Sequence, residues 1–162
     1  MKKIYSLAAI TVVFFLAELV FMTVFGRWLR PNLLILLIIF IDLHLGVRYG
    51  IFVALLAGLL KDSFSAGPLG MHTVSLILCV YIITLIRRFI FYDVEFGFLR
   101  ILMAFVMSLL NVIIYYCLYA MLFTVDFAQM VVFVLLPEVL ATTAMAALVF
   151  RELKRCVLKL SV

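Results

Sequence analysis

The chain has 162 residues, of which 70% are hydrophobic and 13% charged, with a mean hydropathy of +1.41 and a formal net charge of +5. Soluble domains carry roughly a quarter charged residues, so this much apolar surface cannot be hidden in one aqueous core, and an integral membrane protein is expected. The basic residues stand at the ends of apolar runs, which is the pattern of orientation signals and not of nucleic-acid contact. No nucleic-acid partner is expected.

The apolar runs are long and lack the in-out alternation of barrel strands, so the spans should be helices. Lys2 and Lys3 precede an apolar run over residues 4–25 that is interrupted by Glu18. It exceeds the apolar core of a signal peptide, and no small-residue cleavage site follows, so it reads as a first span. Gly26 to Arg30 supplies an interfacial anchor around Trp28, the only tryptophan. A second span over about 29–45 and a third over about 47–61 should turn at Gly46. Fusing them would put Asp42, His44 and Arg48 in mid-membrane at a cost of several kcal/mol. Pro31 suits a first helical turn, because it fixes φ and needs no donor.

A fourth span covers about 71–86 and ends at Arg87-Arg88, followed by an amphipathic linker, FIFYDVEFGF. A fifth covers about 99–123 and carries Asn111 with Tyr115, Tyr116 and Tyr119. After a short turn at Asp126 a sixth covers about 128–150, with Pro137-Glu138 partway along and a kink expected there. With the N-terminus in the cytoplasm, ten lysines and arginines fall inside. Only Arg27, Arg30 and Lys61 fall outside. One all-α membrane domain of six helices, both termini cytoplasmic, is the expected architecture. The longest loop, about a dozen residues, leaves no room for a soluble module.

Glu18, Asn111 and Glu138 are the polar groups well inside spans, Asn111 and Glu138 near mid-depth and Glu18 nearer the outer side. An ionisable group there is a candidate proton relay, ligand contact or partner contact. Hydrogen bonding that glues helices together is the plainer reading and the preferred one. Asp42, His44 and Arg48 should cluster at the inner membrane surface. Asp62 follows the last turn of the third helix, where an acid opposes the macrodipole. It should therefore accept hydrogen bonds from the amides of the Ser63–Gly70 turn or pair with Arg27, Arg30 or Lys61. Gly50, Ala54, Ala57 and Gly58 share one face of the third helix, a small-residue surface suited to close helix packing, within the molecule or against a partner's span. Cys79, Cys117 and Cys156 have no metal-ligand or disulfide spacing. No nucleophile, metalloprotease or nucleotide-binding motif is present, so neither catalysis nor a cofactor or metal is expected.

Taken in order, Pro31-Asn32-Leu33, the turn near Arg48 to Gly50, and Gly58-Leu-Leu-Lys-Asp62 followed by Gly67 and Gly70 resemble the bacterial rod shape-determining protein MreD family. The likeness is strongest over residues 30–71 and elsewhere rests on size and hydropathy. In that family a Pro-Asn or Pro-Asp pair begins the second helix, and a Gly-Leu-Leu-x-Asp pattern maps onto Gly58, Leu59, Leu60 and Asp62. Glu18 and Glu138 match no motif of the family.

The resemblance implies a non-enzymatic inner-membrane component of the cell-elongation machinery. Its partner would be MreC, with MreB filaments, a RodA-type polymerase, its penicillin-binding transpeptidase, membrane lipid and a second copy of the chain as further candidates. It also implies a fold similar to the six-helix substrate-binding components of energy-coupling-factor transporters. That likeness supplies an alternative function, a solute-binding transport subunit with a cavity lined by Asn111, Tyr115, Glu138 and Thr142.

Overall fold

The computed structural model of the chain describes residues 2–26, 31–65, 67–90, 97–123 and 135–161, excepting the side chains of residues 2, 25, 88–90, 97–100, 147 and 151–161. Trp28, Arg27, Arg30, Asp126, most of the FIFYDVEFGF linker and the first part of the expected sixth span lie outside the described residues. Those described form six helices and no strand: α1 Lys2–Phe25, α2 Leu33–Leu45, α3 Val47–Phe64, α4 Met71–Ile90, α5 Gly97–Ala120 and α6 Leu136–Ser161. Lys3–Val24 and Ile101–Ala120 are long and apolar enough to cross a membrane. The apolar parts of three others, Leu33–Leu45, Met71–Arg87 and Leu136–Phe150, are shorter.

The organising element is α2. Its sequence, LLILLIIFIDLHL, is apolar on every side, and a helix without a polar face belongs inside. Every residue from Leu33 to Asp42 is buried. α2 touches each of the other five helices, while α3 packs on α1 and α4, α4 on α5, and α5 on α6. A helix enclosed by protein has no lipid-facing side, so nothing ties its thirteen residues to the lipid thickness. On the outside, α1 turns Tyr5, Val13, Leu16, Val20 and Val24 outward, an apolar face suited to lipid.

The α2–α3 turn falls at Gly46, with φ +92° and ψ 170°, a conformation reserved in practice for glycine. Its N–H donates to the Asp42 carbonyl at 3.1 Å. At the other end, α2 begins later than residue 29. Asn32 is the N-cap and Pro31 precedes it, with the Pro31 carbonyl accepting the Leu33 N–H at 3.1 Å. Pro31 therefore leads into the cap and does not occupy the first turn, because Asn32 supplies the side-chain acceptor that a helix start needs. α4 continues past Arg87-Arg88 to Ile90, no helix breaker standing there to stop it. Pro137 stands in the first turn of the described α6, so the part of the expected span that would precede a kink lies outside the described residues.

The small-residue face of α3 has its partners inside the molecule. Gly50, Ala54, Ala57 and Gly58 are all buried. A Cβ at Gly50 would lie 3.0 Å from Asp42 Oδ1 and 3.3 Å from Val80. One at Gly58 would collide with Thr73 Cα. This face brings α3 against α2 and α4 and leaves no groove there for a helix from another protein.

The polar cavity at one end of the bundle

A buried helix start has N–H groups that water cannot reach, so side chains must take them. At α2 three different residues do so. Asn32 Oδ1 accepts the Ile35 N–H at 3.3 Å, Thr142 Oγ1 accepts the Asn32 N–H at 2.9 Å, and Glu18 Oε2 accepts the Leu34 N–H at 3.3 Å. Negative charge is favoured at a helix N-terminus, which accounts for a buried carboxylate on α1. Its other oxygen, Oε1, lies 2.8 Å from Lys61 Nζ on α3. Asn32 Nδ2 also donates to Glu138 Oε1 at 3.2 Å, and Thr142 Oγ1 donates to the Glu138 carbonyl one turn back at 2.7 Å. The start of α2 is thereby fastened to α1 and α6 together.

The start of α4 uses the same device. Gly70, at φ +97°, precedes it and has no side chain with which to cap it. Asp62, from the last turn of α3, takes the donors instead. Oδ1 accepts the His72 N–H at 3.0 Å, and Oδ2 accepts the Thr73 N–H at 3.2 Å and Thr73 Oγ1–H at 2.6 Å. The expectation that Asp62 would bind amides of the Ser63–Gly70 turn, or pair with Lys61, is corrected. The carboxylate reaches the positive end of the next helix, and Lys61 faces Glu18. In the turn itself the Gly67 N–H donates to Ser65 Oγ at 3.2 Å.

Asn111, buried on α5, lies against α4. Ser75 Oγ is 2.7 Å from its Oδ1 and 3.0 Å from its carbonyl oxygen. The His72 ring stacks on Tyr115 with centroids 4.2 Å apart and planes 15° from parallel, and Tyr116 meets Tyr115 edge-on at 5.4 Å. Tyr119 on α5 and Phe123, just past its end, continue this aromatic ladder.

These groups line a partly open cavity of about 350 Å³. Its wall holds Glu18, Asn32, Lys61, His72, Asn111, Tyr115, Tyr116 and Glu138, closed on its apolar side by Phe15, Leu19, Met22, Phe64 and Val112. Glu18, Asn111 and Glu138 thus share one site. Thr142 stands behind the wall, and the Gly50–Ala54–Ala57 face lies elsewhere. Lys61 and His72 also belong to the site, and neither stood out in the sequence as a cavity residue, because nothing in the spacing ties Lys61 to Glu18.

Asp42 departs from expectation, while His44 is exposed at the end of α2 as expected. Asp42 is fully buried, its Oδ2 3.4 Å from Thr84 Oγ1 and its Oδ1 without a hydrogen-bond partner. Arg87, not Arg48, reaches it, donating to the Asp42 carbonyl at 3.0 Å. His44 stacks on Phe40 at 4.1 Å. A hub helix has no free side, so Asp42 meets α4 where a surface cluster had been expected. Among the described residues no three His, Cys, Asp or Glu side chains converge as metal ligands would.

The profile of the rod shape-determining protein MreD family matches residues 1–155. The chain belongs to the MreD family. No curated protein and no solved structure matches it. This MreD family member is accordingly a rod shape-determining membrane protein, of a family known as a structural component of shape determination and not as enzymes. The Pro-Asn and Gly-Leu-Leu-x-Asp motifs gain a physical meaning in it. The first caps α2. The second provides both the close approach of Gly58 to Thr73 and the carboxylate that caps α4.

Proposed function

We propose that the chain is a non-enzymatic scaffold of the cell-elongation complex in the bacterial inner membrane. It crosses the bilayer six times with both termini in the cytoplasm, binds the single membrane span of MreC, and helps direct lateral peptidoglycan synthesis. MreB, a RodA-type polymerase and its penicillin-binding transpeptidase are the further members of that assembly, and Asn32, Gly58, Asp62 and Gly70 hold the frame that presents the binding surface. The observation that carries the reading is the family match over residues 1–155. The rigidity of the frame supports it, since both helix starts at this end are tied by side chains from neighbouring helices. A tagged copy isolated from membranes should bring down MreC and the polymerase.

The cavity favours a second reading, a solute-binding subunit of an energy-coupling-factor type transporter, whose six-helix components the family's fold is likened to. Recovery of an ATPase pair in place of MreC would select it.

A further inference from the structure

The lining of the cavity comes from the same end of every helix. Glu18, Lys61 and Tyr115 stand in the C-terminal halves of α1, α3 and α5, while Asn32 and His72 stand at the starts of α2 and α4 and Glu138 at the start of the described part of α6. On the charge count this is the outer end. A cavity of about 350 Å³ is of the size that encloses one small molecule.

The wall says what kind. Lys61 and Glu18 compensate each other at 2.8 Å, and Glu138 accepts from Asn32 Nδ2 at 3.2 Å, so a charged guest would shed its hydration against carboxylates that already have partners. What the wall offers is a mixture of acceptors and donors, the carboxylates of Glu18 and Glu138 together with the amides of Asn32 and Asn111. A hydroxyl both donates and accepts, so neighbouring hydroxyls on one ring match such a wall without a net charge. The Tyr115–His72 stack, with Tyr116 edge-on, adds a flat apolar surface for the face of that ring. These groups are held in place by their bonds to other helices before any guest arrives.

We propose that this cavity binds an uncharged, polyhydroxylated ring of the sugar class. The ring comes free from the outer aqueous phase or as the head of a lipid-linked sugar, whose chain would lie along Phe15, Leu19 and Met22 of α1. The proposal goes beyond the scaffold reading and stands on the cavity alone, so its failure would leave the recovery of MreC untouched.

The test uses the full chain in phosphatidylcholine nanodiscs, free of sugar detergents and of partners. Glucose, octyl glucoside below its micelle concentration, octanol, choline and acetate are each titrated, with ligand-observed NMR and the unfolding midpoint as readouts. Saturable binding of glucose, matched by octyl glucoside, identifies a free sugar. Much tighter binding of octyl glucoside than of glucose or octanol identifies a lipid-linked one. Tyr115→Leu should weaken either by about tenfold, the loss of one stacking contact, while Tyr115→Phe keeps it. Each variant is first checked for a wild-type helical spectrum, and Asn111→Ala serves in place of Tyr115→Leu if that variant does not fold. Binding of choline or acetate without the sugars, binding of octyl glucoside no better than octanol, no saturable binding at all, or sugar binding indifferent to Tyr115→Leu and Asn111→Ala would each overturn the proposal.

Discussion

Asp62 closes the α3–α4 connection by gripping Thr73 twice, at the backbone N–H and at the hydroxyl, with a single carboxylate oxygen 3.2 and 2.6 Å away. The helix that bears the acid would place it at its own negative end, where it is disfavoured. The helix that receives it offers a positive end and free donors, and that gain prevails. One turn earlier, Gly58 lets the Thr73 backbone come close enough for the bond to form.

Asp62→Ala should therefore destabilise the start of α4 by about 1–3 kcal/mol, since several donors lose their acceptor in a buried setting. Asp62→Asn, which keeps one acceptor oxygen, should fall between. Hydrogen exchange at the His72 and Thr73 amides reads the effect directly, and unchanged protection in Asp62→Ala would refute it.

Gly58→Ala should cost about 1–3 kcal/mol or more, as overpacking does. The new methyl would collide with Thr73 Cα, which is backbone and cannot rotate away. Gly67→Ala is the control, since its Cβ would approach nothing nearer than 3.4 Å. Equal unfolding midpoints for the two variants would contradict this account of α3–α4 packing.

Removing either member of the Glu18–Lys61 pair should cost about 3–5 kcal/mol, because a buried charge is left without its partner. Replacing both by apolar residues of similar size should cost less than the two single changes summed, although the Leu34 N–H then loses its acceptor. A double-mutant cycle on the unfolding free energy measures the coupling. Strict additivity would mean that the contact does no energetic work.

Gly46→Ala and Gly46→Asn should both cost about 1–3 kcal/mol, and by similar amounts. No atom lies within 4 Å of a Cβ at this position, so the penalty comes from the backbone conformation and not from collision. Asparagine, which often replaces glycine in left-handed turns, brings no relief, because ψ of 170° lies outside the left-handed helical region. Recovery of stability by Gly46→Asn would show that the turn relaxes into that region.

Much of the plan was legible in the residues. Long unpatterned apolar runs dictate helices, since lipid leaves backbone polar groups no other partner, and the break at Gly46 follows from the cost of Asp42, His44 and Arg48 in mid-membrane. The Pro31-Asn32 pair marked the start of α2 to within a few residues, because capping is local chemistry. Gly50, Ala54, Ala57 and Gly58 were legible as a packing face by their helical spacing, but not what they pack against.

By itself the sequence determined that the chain is helical, that it turns at Gly46 and again at Gly67–Gly70, and which polar residues needed partners, because each of these depends on neighbours within about one turn. Only the tertiary structure decided which partners those were. Asn32 meets Glu138 across 106 residues and Glu18 meets the α2 start across 16, and no periodicity encodes such pairings. The physical reason lies in α2. From Leu33 to Ile41 the helix is apolar on every side and has no preferred face, so that stretch is silent about its neighbours, and the five helices around it are placed by the buried N–H groups and carboxylates that must find one another.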